Sequence, residues 1–397
     1  MQPPDADVVL VRHGEIGVKS DQVRRKMETR LAENLEALLG SRAIDGQVTR
    51  NRNRLYVHAE DLEAATEAAT DCFGVVSASP ARTVEPTLAA ICEALAEATN
   101  AHYESGSFAV TARRAGATDA HPFSSEDIGR EGGSAVWDAI DAMGETPVVD
   151  LDEPDFELFV ECREDTAYVF LEKRDGPGGL PLRTQQPMVA LVSGGIDSPV
   201  AAWEIMRRGS PIVPVYVDLG DQGGADHRAR AVSTVGALER YAPNVDLDVR
   251  VVHGGDVVSD LVATMDDHRM LSLRRFMVTV GEAVARSVGA VGIVTGEAIG
   301  QKSSQTAANL AVTDAAVDLP VHRPNLTRDK ADIIATARDI DTYDDSTIPA
   351  GCNRVAPSFP ETNADLSAVE QAEPADLLER ARSVARDAEI VSLADRD

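Results

Sequence analysis

The chain has 397 residues, enough for two or three separately cored domains, and its 43% hydrophobic content is ordinary for a folded protein. No apolar run reaches the roughly 18 residues of a membrane span, and the acidic start Met1–Asp7 lacks the regions of a signal peptide, so a cytoplasmic address is expected. Asp and Glu number 66 against 38 Lys and Arg, giving a net charge of -28 spread through every segment. With scarce lysine and 4% aromatics this reads as adaptation to molar salt, although an acidic protein that avoids nucleic acid fits the same total.

In chain order, Leu55–His58 reads as a short strand, and Thr87–Thr99 as a helix with Leu88, Ile91 and Leu95 on one face. Phe108–Ala112, Phe156–Val160 and Ala167–Leu171 read as further strands. The run Asp175-Gly176-Pro177-Gly178-Gly179 is the clearest break in the chain. Beyond it the pattern becomes strand and helix in alternation. Met188–Val192, Ile212–Val217, Val245–Val252 and Val291–Thr295 are the expected strands, and Arg274–Val288 is a helix with Met277, Val280, Val284 and Val288 on one stripe. Such alternation predicts a parallel sheet covered on both faces, with ligands beyond the carboxyl ends of its strands.

At that place stands Ser193-Gly194-Gly195-Ile196-Asp197-Ser198, directly after Val189–Val192, with Pro199 opening a helix through Met206. Two glycines let backbone turn tightly and approach a ligand, and freed amides at a helix start supply positive potential for a pyrophosphate. Ser193 and Ser198 add hydroxyls, and Asp197 can hold magnesium. An ordinary turn, with Asp197 or Ser198 as helix cap, explains the serine and proline but not the paired glycines. The G-x-x-x-x-G-K-[ST] loop is absent, since Gly300-Gln301-Lys302-Ser303 misses it. The loop resembles that of the PP-loop ATP pyrophosphatases, which cleave ATP between the α and β phosphates and adenylate a substrate oxygen.

Four further segments narrow the resemblance. They are Arg12-His13-Gly14-Glu15-Ile16 with Lys19; Phe108–Arg114 with His121-Pro122-Phe123; Thr295–Gln301 continuing to Gln305-Thr306; and Leu319–Pro324 before Asp329-Lys330 and Gly351-Cys352-Asn353. Together with the loop they are similar to the tRNA 4-thiouridine synthetases, the tRNA sulfurtransferase family, over almost the whole chain. The resemblance implies an α/β protein in three parts. A ferredoxin-like α+β domain would span 1–60, a THUMP RNA-binding domain 61–175, and a parallel-sheet PP-loop ATP pyrophosphatase domain 176–397.

It also implies a site. ATP would meet Leu191, Val192, Ser193, Gly194, Gly195, Ser198, Tyr216, Val217, Arg274, Gly296 and Gln305, with Mg2+ as the accompanying ion. Asp197 and Lys330 would serve the chemistry, and Cys352 would carry sulfur. The remaining cysteines, Cys72, Cys92 and Cys162, sit in apolar company and read as small core residues. No cysteine or histidine spacing suits a protein-held metal. Met270 and Leu273 stand where some relatives place a cysteine pair, so an iron–sulfur cluster held that way is not expected. Only 45 residues follow Cys352, and none is a cysteine, so the donor is left open between persulfide and sulfide sources, a cysteine desulfurase among them.

For tRNA, the arginines at Arg50, Arg52, Arg54, Arg113 and Arg114 are the expected contacts, though each cluster also suits plain charge balance. At molar salt counterion release contributes little, so arginine geometry and RNA shape must carry recognition. The target uridine, position eight of the tRNA, would enter the α/β domain after leaving the stack. Two other readings share the loop: sulfur transfer towards the thiamine thiazole, and a non-catalytic nucleotide-sensing tRNA-binding protein. The sequence leaves the oligomeric state open, a homodimer included.

Overall fold

The computed structural model describes residues 1–51, 54–117, 119–223, 226–346, 355 and 361–393, and the chain divides into two units, Met1–Gly179 and Leu180–Asp397. The first unit runs β1 (Val8–His13), α1 (Asp21–Ser41), β2 (Gly46–Asn51), β3 (Arg54–Ala59), α2 (Leu62–Thr70) and β4 (Val75–Val84). It continues with α3 (Leu88–His102), β5 (Ser107–Arg114), α4 (Ser125–Ala142), β6 (Val148–Val149), β7 (Phe156–Cys162), β8 (Ala167–Phe170) and β9 (Arg174–Asp175). The strands form one sheet in the order β2-β3-β1-β4-β8-β7-β5-β6, with β9 beside β4.

Period-two alternation decides what each strand presents to each face. Val9, Val11, Leu55 and Val57 pack with Leu31, Leu35 and Leu38 of α1 and with Leu62 and Ala65 of α2. Leu158, Val160 and Val169 pack with Ile91 and Leu95 of α3 and Ile128 and Val136 of α4. The opposite face gathers Leu10, Tyr56, Phe159, Tyr168 and Phe170. Residues of α2 and β4 thus share the core of β1 and β3, and packing runs on past residue 60.

The second unit carries β10 (Met188–Val192), α5 (Asp197–Arg207), β11 (Ile212–Asp218), α6 (Asp226–Glu239), β12 (Val249–His253), α7 (Gly255–Thr264) and α8 (Arg269–Val288). Then follow β13 (Ile293–Val294), α9 (Ala307–Asp314), β14 (Val321–His322), α10 (Lys330–Asp339), α11 (Leu366–Ala372), α12 (Leu377–Val384) and β15 (Glu389–Val391). The sheet order is β14-β13-β10-β11-β12-β15, parallel throughout except for β15. Its core joins Val189, Val215 and Val252 of the strands to Phe276, Val280 and Val284 of α8.

Three boundaries differ from the sequence expectation. The third strand starts at Val249, not Val245, because Val245 N donates to Ala242 O in a turn. Regular pairing at β13 covers two residues, although Val291 N still donates to Pro187 O and Thr295 N to His322 O. Helix α8 begins at Arg269, which brings Met270 and Leu273 onto it. Among the described residues no helix is long and apolar enough to cross a membrane.

Candidate active site

The switch from β10 to α5 builds the phosphate loop. Ser193 N donates to Ser198 Oγ at 2.9 Å, the two serine hydroxyls lie 3.0 Å apart, and Gly195 N reaches Ser193 Oγ at 3.3 Å. Helix α5 starts at Asp197, two residues before the expected Pro199, and neither Asp197 nor Ser198 caps it; Ile196 precedes it with no side-chain cap. The leading amides of the helix therefore remain available to an anion. Neither Gly194 nor Gly195 has a positive φ. Their role is space: a Cβ on Gly195 would meet nothing nearer than Ser193 Oγ at 3.5 Å, in the hollow a ligand would fill.

The loop opens into a cavity of about 280 Å³. All eleven residues expected to meet the nucleotide line it, from Leu191 and Val192 through Ser193, Gly194, Gly195 and Ser198 to Tyr216, Val217, Arg274, Gly296 and Gln305. Asp197 lines it too, and Lys330 reaches Asp197 Oδ1 at 2.6 Å from the first turn of α10. Gly296 fits tightly, since a Cβ there would stand 2.6 Å from the carbonyl carbon of Asp197. Asn325 Nδ2 holds the Asp197 carbonyl oxygen at 2.8 Å.

Arg274 is less free than its expected phosphate role supposes. Its Nε donates to Ser304 Oγ at 3.1 Å, and Nη1 pairs with Glu297. In the amide orientation that satisfies Gln305, the Gln305 oxygen accepts from Nη2 at 3.2 Å. Glu297, buried in the cavity wall, also accepts from Arg323 Nε at 2.7 Å and from Thr295 Oγ1 at 2.9 Å. Burial pushes its carboxyl up, but Arg274 and Arg323 overcome this and hold it below the usual carboxylate range.

Sequence reasoning missed Glu297 as a hub, and it missed His227, Lys302 and the apolar wall made by Met270, Leu273 and Met277. Lys302 and Lys330 are the two lysines of the second unit, and both serve this site, a signal the lysine count held. Helix α6 flanks the loop: a Cβ on Gly194 would lie 3.2 Å from Arg230 Cβ and 3.3 Å from His227 Nδ1. Arg230 Nη1 donates to Asp345 O at 2.9 Å, and the Ser233 hydroxyl to the Asp345 carboxylate. Cys352 lies outside the described residues, as does Arg52. Cys72 and Cys162 are buried as expected, whereas Cys92 is half-buried.

The expected RNA contacts separate into different environments. Arg50 donates to Thr29 Oγ1 and Arg25 O from β2. Arg54 Nη2 sits 2.9 Å from both oxygens of Glu161. Arg114 turns back to the carbonyls of His121 and Phe123, bracing the loop before α4. Arg113 is exposed.

Comparison with known proteins agrees with this architecture. Family models match as the ThiI ferredoxin-like domain over residues 8–79, the THUMP domain over 85–172, and the thiamine biosynthesis protein ThiI over 183–377. A probable tRNA sulfurtransferase of Halobacterium salinarum is 56% identical over 99% of this chain and 100% of its own. One from Methanosarcina acetivorans is 42% identical over 90% of this chain and 87% of its own. A solved 4-thiouridine synthetase, in complex with RNA and bound ATP, superposes with a TM-score of 0.80 at 26% identity, covering 98% of this chain and all of that one. PH1313 from Pyrococcus horikoshii matches at 0.65 and 25% identity, over 84% of this chain and 99% of its own. With the phosphate loop, its cavity and the two-unit fold in place, this likeness along nearly the full length makes the chain a member of the tRNA sulfurtransferase (ThiI) family.

Proposed function

We propose that this protein is an ATP-dependent tRNA sulfurtransferase that converts uridine, at position eight of tRNA, to 4-thiouridine. The observation that carries the reading is the single cavity uniting the phosphate loop, Asp197 and the Gly296–Gln305 wall, with Lys330 at Asp197. The uncapped start of α5 and the open space over Gly195 suit a nucleotide pyrophosphate. Asp197 would hold the Mg2+ that neutralises phosphate charge, and Lys330 would then be released to the phosphates as a point charge.

In the proposed chemistry the uridine 4-oxygen attacks the α-phosphorus and pyrophosphate leaves. Sulfur then adds to C4, and AMP departs with the former oxygen. Cys352 would accept sulfane sulfur from a persulfide donor such as a cysteine desulfurase, whose own thiol is released. A thiol reductant would cleave the resulting persulfide, forming a disulfide, so that its outer sulfur reaches C4 at the sulfide level. The division 1–60, 61–175 and 176–397 remains our proposal for the three functional parts, the first two gripping tRNA through arginines such as Arg50, Arg52, Arg54, Arg113 and Arg114. Incubation with tRNA, Mg2+, ATP and a sulfur donor should yield AMP, pyrophosphate and 4-thiouridine in equal amounts. Release of ADP and phosphate instead would overturn the reading.

A further inference from the structure

The first unit holds a second cavity, of about 400 Å³, at the sheet face that gathers Tyr56 and Tyr168. Strand alternation delivers its chemistry there. Arg54 and Tyr56 come from β3, Arg113 from β5 and Tyr168 from β8; Arg163 follows β7. Glu161 of β7 is the Cα neighbour of both Arg113 and Tyr168. It is 5% exposed and meets Arg54 at 2.9 Å, Arg163 Nε at 2.8 Å and Arg12 Nε at 3.8 Å.

A structural hub would need one or two arginines for one carboxylate. Here three guanidiniums, of Arg12, Arg54 and Arg163, meet Glu161, and Arg113 is its neighbour on the adjoining strand, in a chain whose net charge is -28. Arg12 Nη2 and Arg54 Nε are buried without a hydrogen bond, a costly state for a charged group. Arg12 is lowered to about 10, by burial above all and also by the neighbouring Arg54, Arg113 and Arg163, against the pull of Glu161. Arg323, by contrast, lies between two carboxylates, those of Glu297 and Asp314. Glu164 and Asp165 on the cavity rim rule out a general attraction for polyanions, so a ligand must be taken by directed hydrogen bonds.

We propose that this cavity binds a phosphate group of the RNA backbone, with Arg113 and Arg163 at its rim and Arg54 on its floor. The proposal rests on the RNA-modifying reading above and identifies which arginines act together. The full chain, in molar potassium chloride, is titrated with labelled tRNA, with and without inorganic phosphate as competitor. Arg113→Gln, at an exposed position, should weaken tRNA binding about tenfold or more at unchanged melting temperature. Arg163→Gln, which also gives up its pair with the buried Glu161, should weaken it as much in a chain whose circular dichroism stays that of the wild type. Phosphate should compete with tRNA on the wild type and lose that effect on both variants. The difference between wild type and Arg113→Gln separates this cavity from the phosphate loop, which the substitution does not touch.

Wild-type tRNA affinity in both variants would overturn the proposal while leaving thiolation by the wild type intact. Phosphate binding that the variants lose, with tRNA affinity unchanged, would also overturn it, marking a site for inorganic anions alone. A wild-type chain that neither binds nor thiolates tRNA would instead remove the functional reading on which the proposal stands.

Discussion

Replacing Gly296 by alanine tests whether the cavity wall sets the position of the phosphate loop. The new Cβ would lie 2.6 Å from Asp197 C and 2.7 Å from both Asp197 O and Ser198 N, all backbone atoms. Ordinary contact begins at 3.4 Å, so wall and helix start must part by about 0.8 Å. Asn325 resists that movement through its bond to the Asp197 carbonyl. Overpacking of this kind costs about 1–3 kcal/mol of stability, and a misplacement near 1 Å costs roughly 100-fold in rate. The expected result is a turnover for pyrophosphate release reduced about 100-fold at saturating ATP, in a protein that still folds. Gly195→Ala makes the contrast, because its Cβ meets no protein atom closer than 3.5 Å. It should leave the melting temperature unchanged and weaken ATP binding. A Gly296→Ala enzyme turning over within about threefold of wild type, a loss far below that expected for such a displacement, would refute the steric argument.

Other outcomes follow from the same geometry. Asp197→Ala should abolish pyrophosphate release without lowering the melting temperature, because its side chain is partly exposed and pairs only at the cavity mouth; substantial turnover would remove it from the chemistry. Cys352→Ser should adenylate tRNA yet form no 4-thiouridine, and thiolated nucleoside from this variant, measured by mass spectrometry, would dismiss the cysteine as carrier. Glu297 titrates below its ordinary value in the folded chain, so its stabilising effect is present above the unfolded value of about 4.3 and lost as pH falls through the lower folded value. Glu297→Gln should therefore melt below wild type at pH 7, with the gap closing in acid; a gap constant from neutral pH down to about 3 would contradict the ion-pair account.

The phosphate loop was legible because its parts are contiguous: an apolar strand, paired glycines and a helix start fall within ten or so residues, and local rules apply to them. Glu297 was not, because its meaning comes from Arg274 and Arg323, which reach it from α8 and from the loop after β14. The arginine clusters did not announce which partner each guanidinium takes. Arg54 finds Glu161 across 107 residues of sequence, and Arg114 is consumed by the carbonyls of a neighbouring loop. Val245 misled for a different reason, since an apolar run records burial and does not say where a turn ends and a strand begins.

Helix α6 leaves room for no more than a glycine at Gly194 beside Arg230 and His227, and one turn further along the same face Ser233 joins Arg230 in holding Asp345. Arg230 lines the space beside Gly194 and at the same time donates to the Asp345 carbonyl. Asp345 stands seven residues before Cys352 in the chain. Helix α6 thus borders both the phosphate loop and the start of the stretch that leads to Cys352, the proposed sulfur carrier, so that one short element meets two parts of the proposed site.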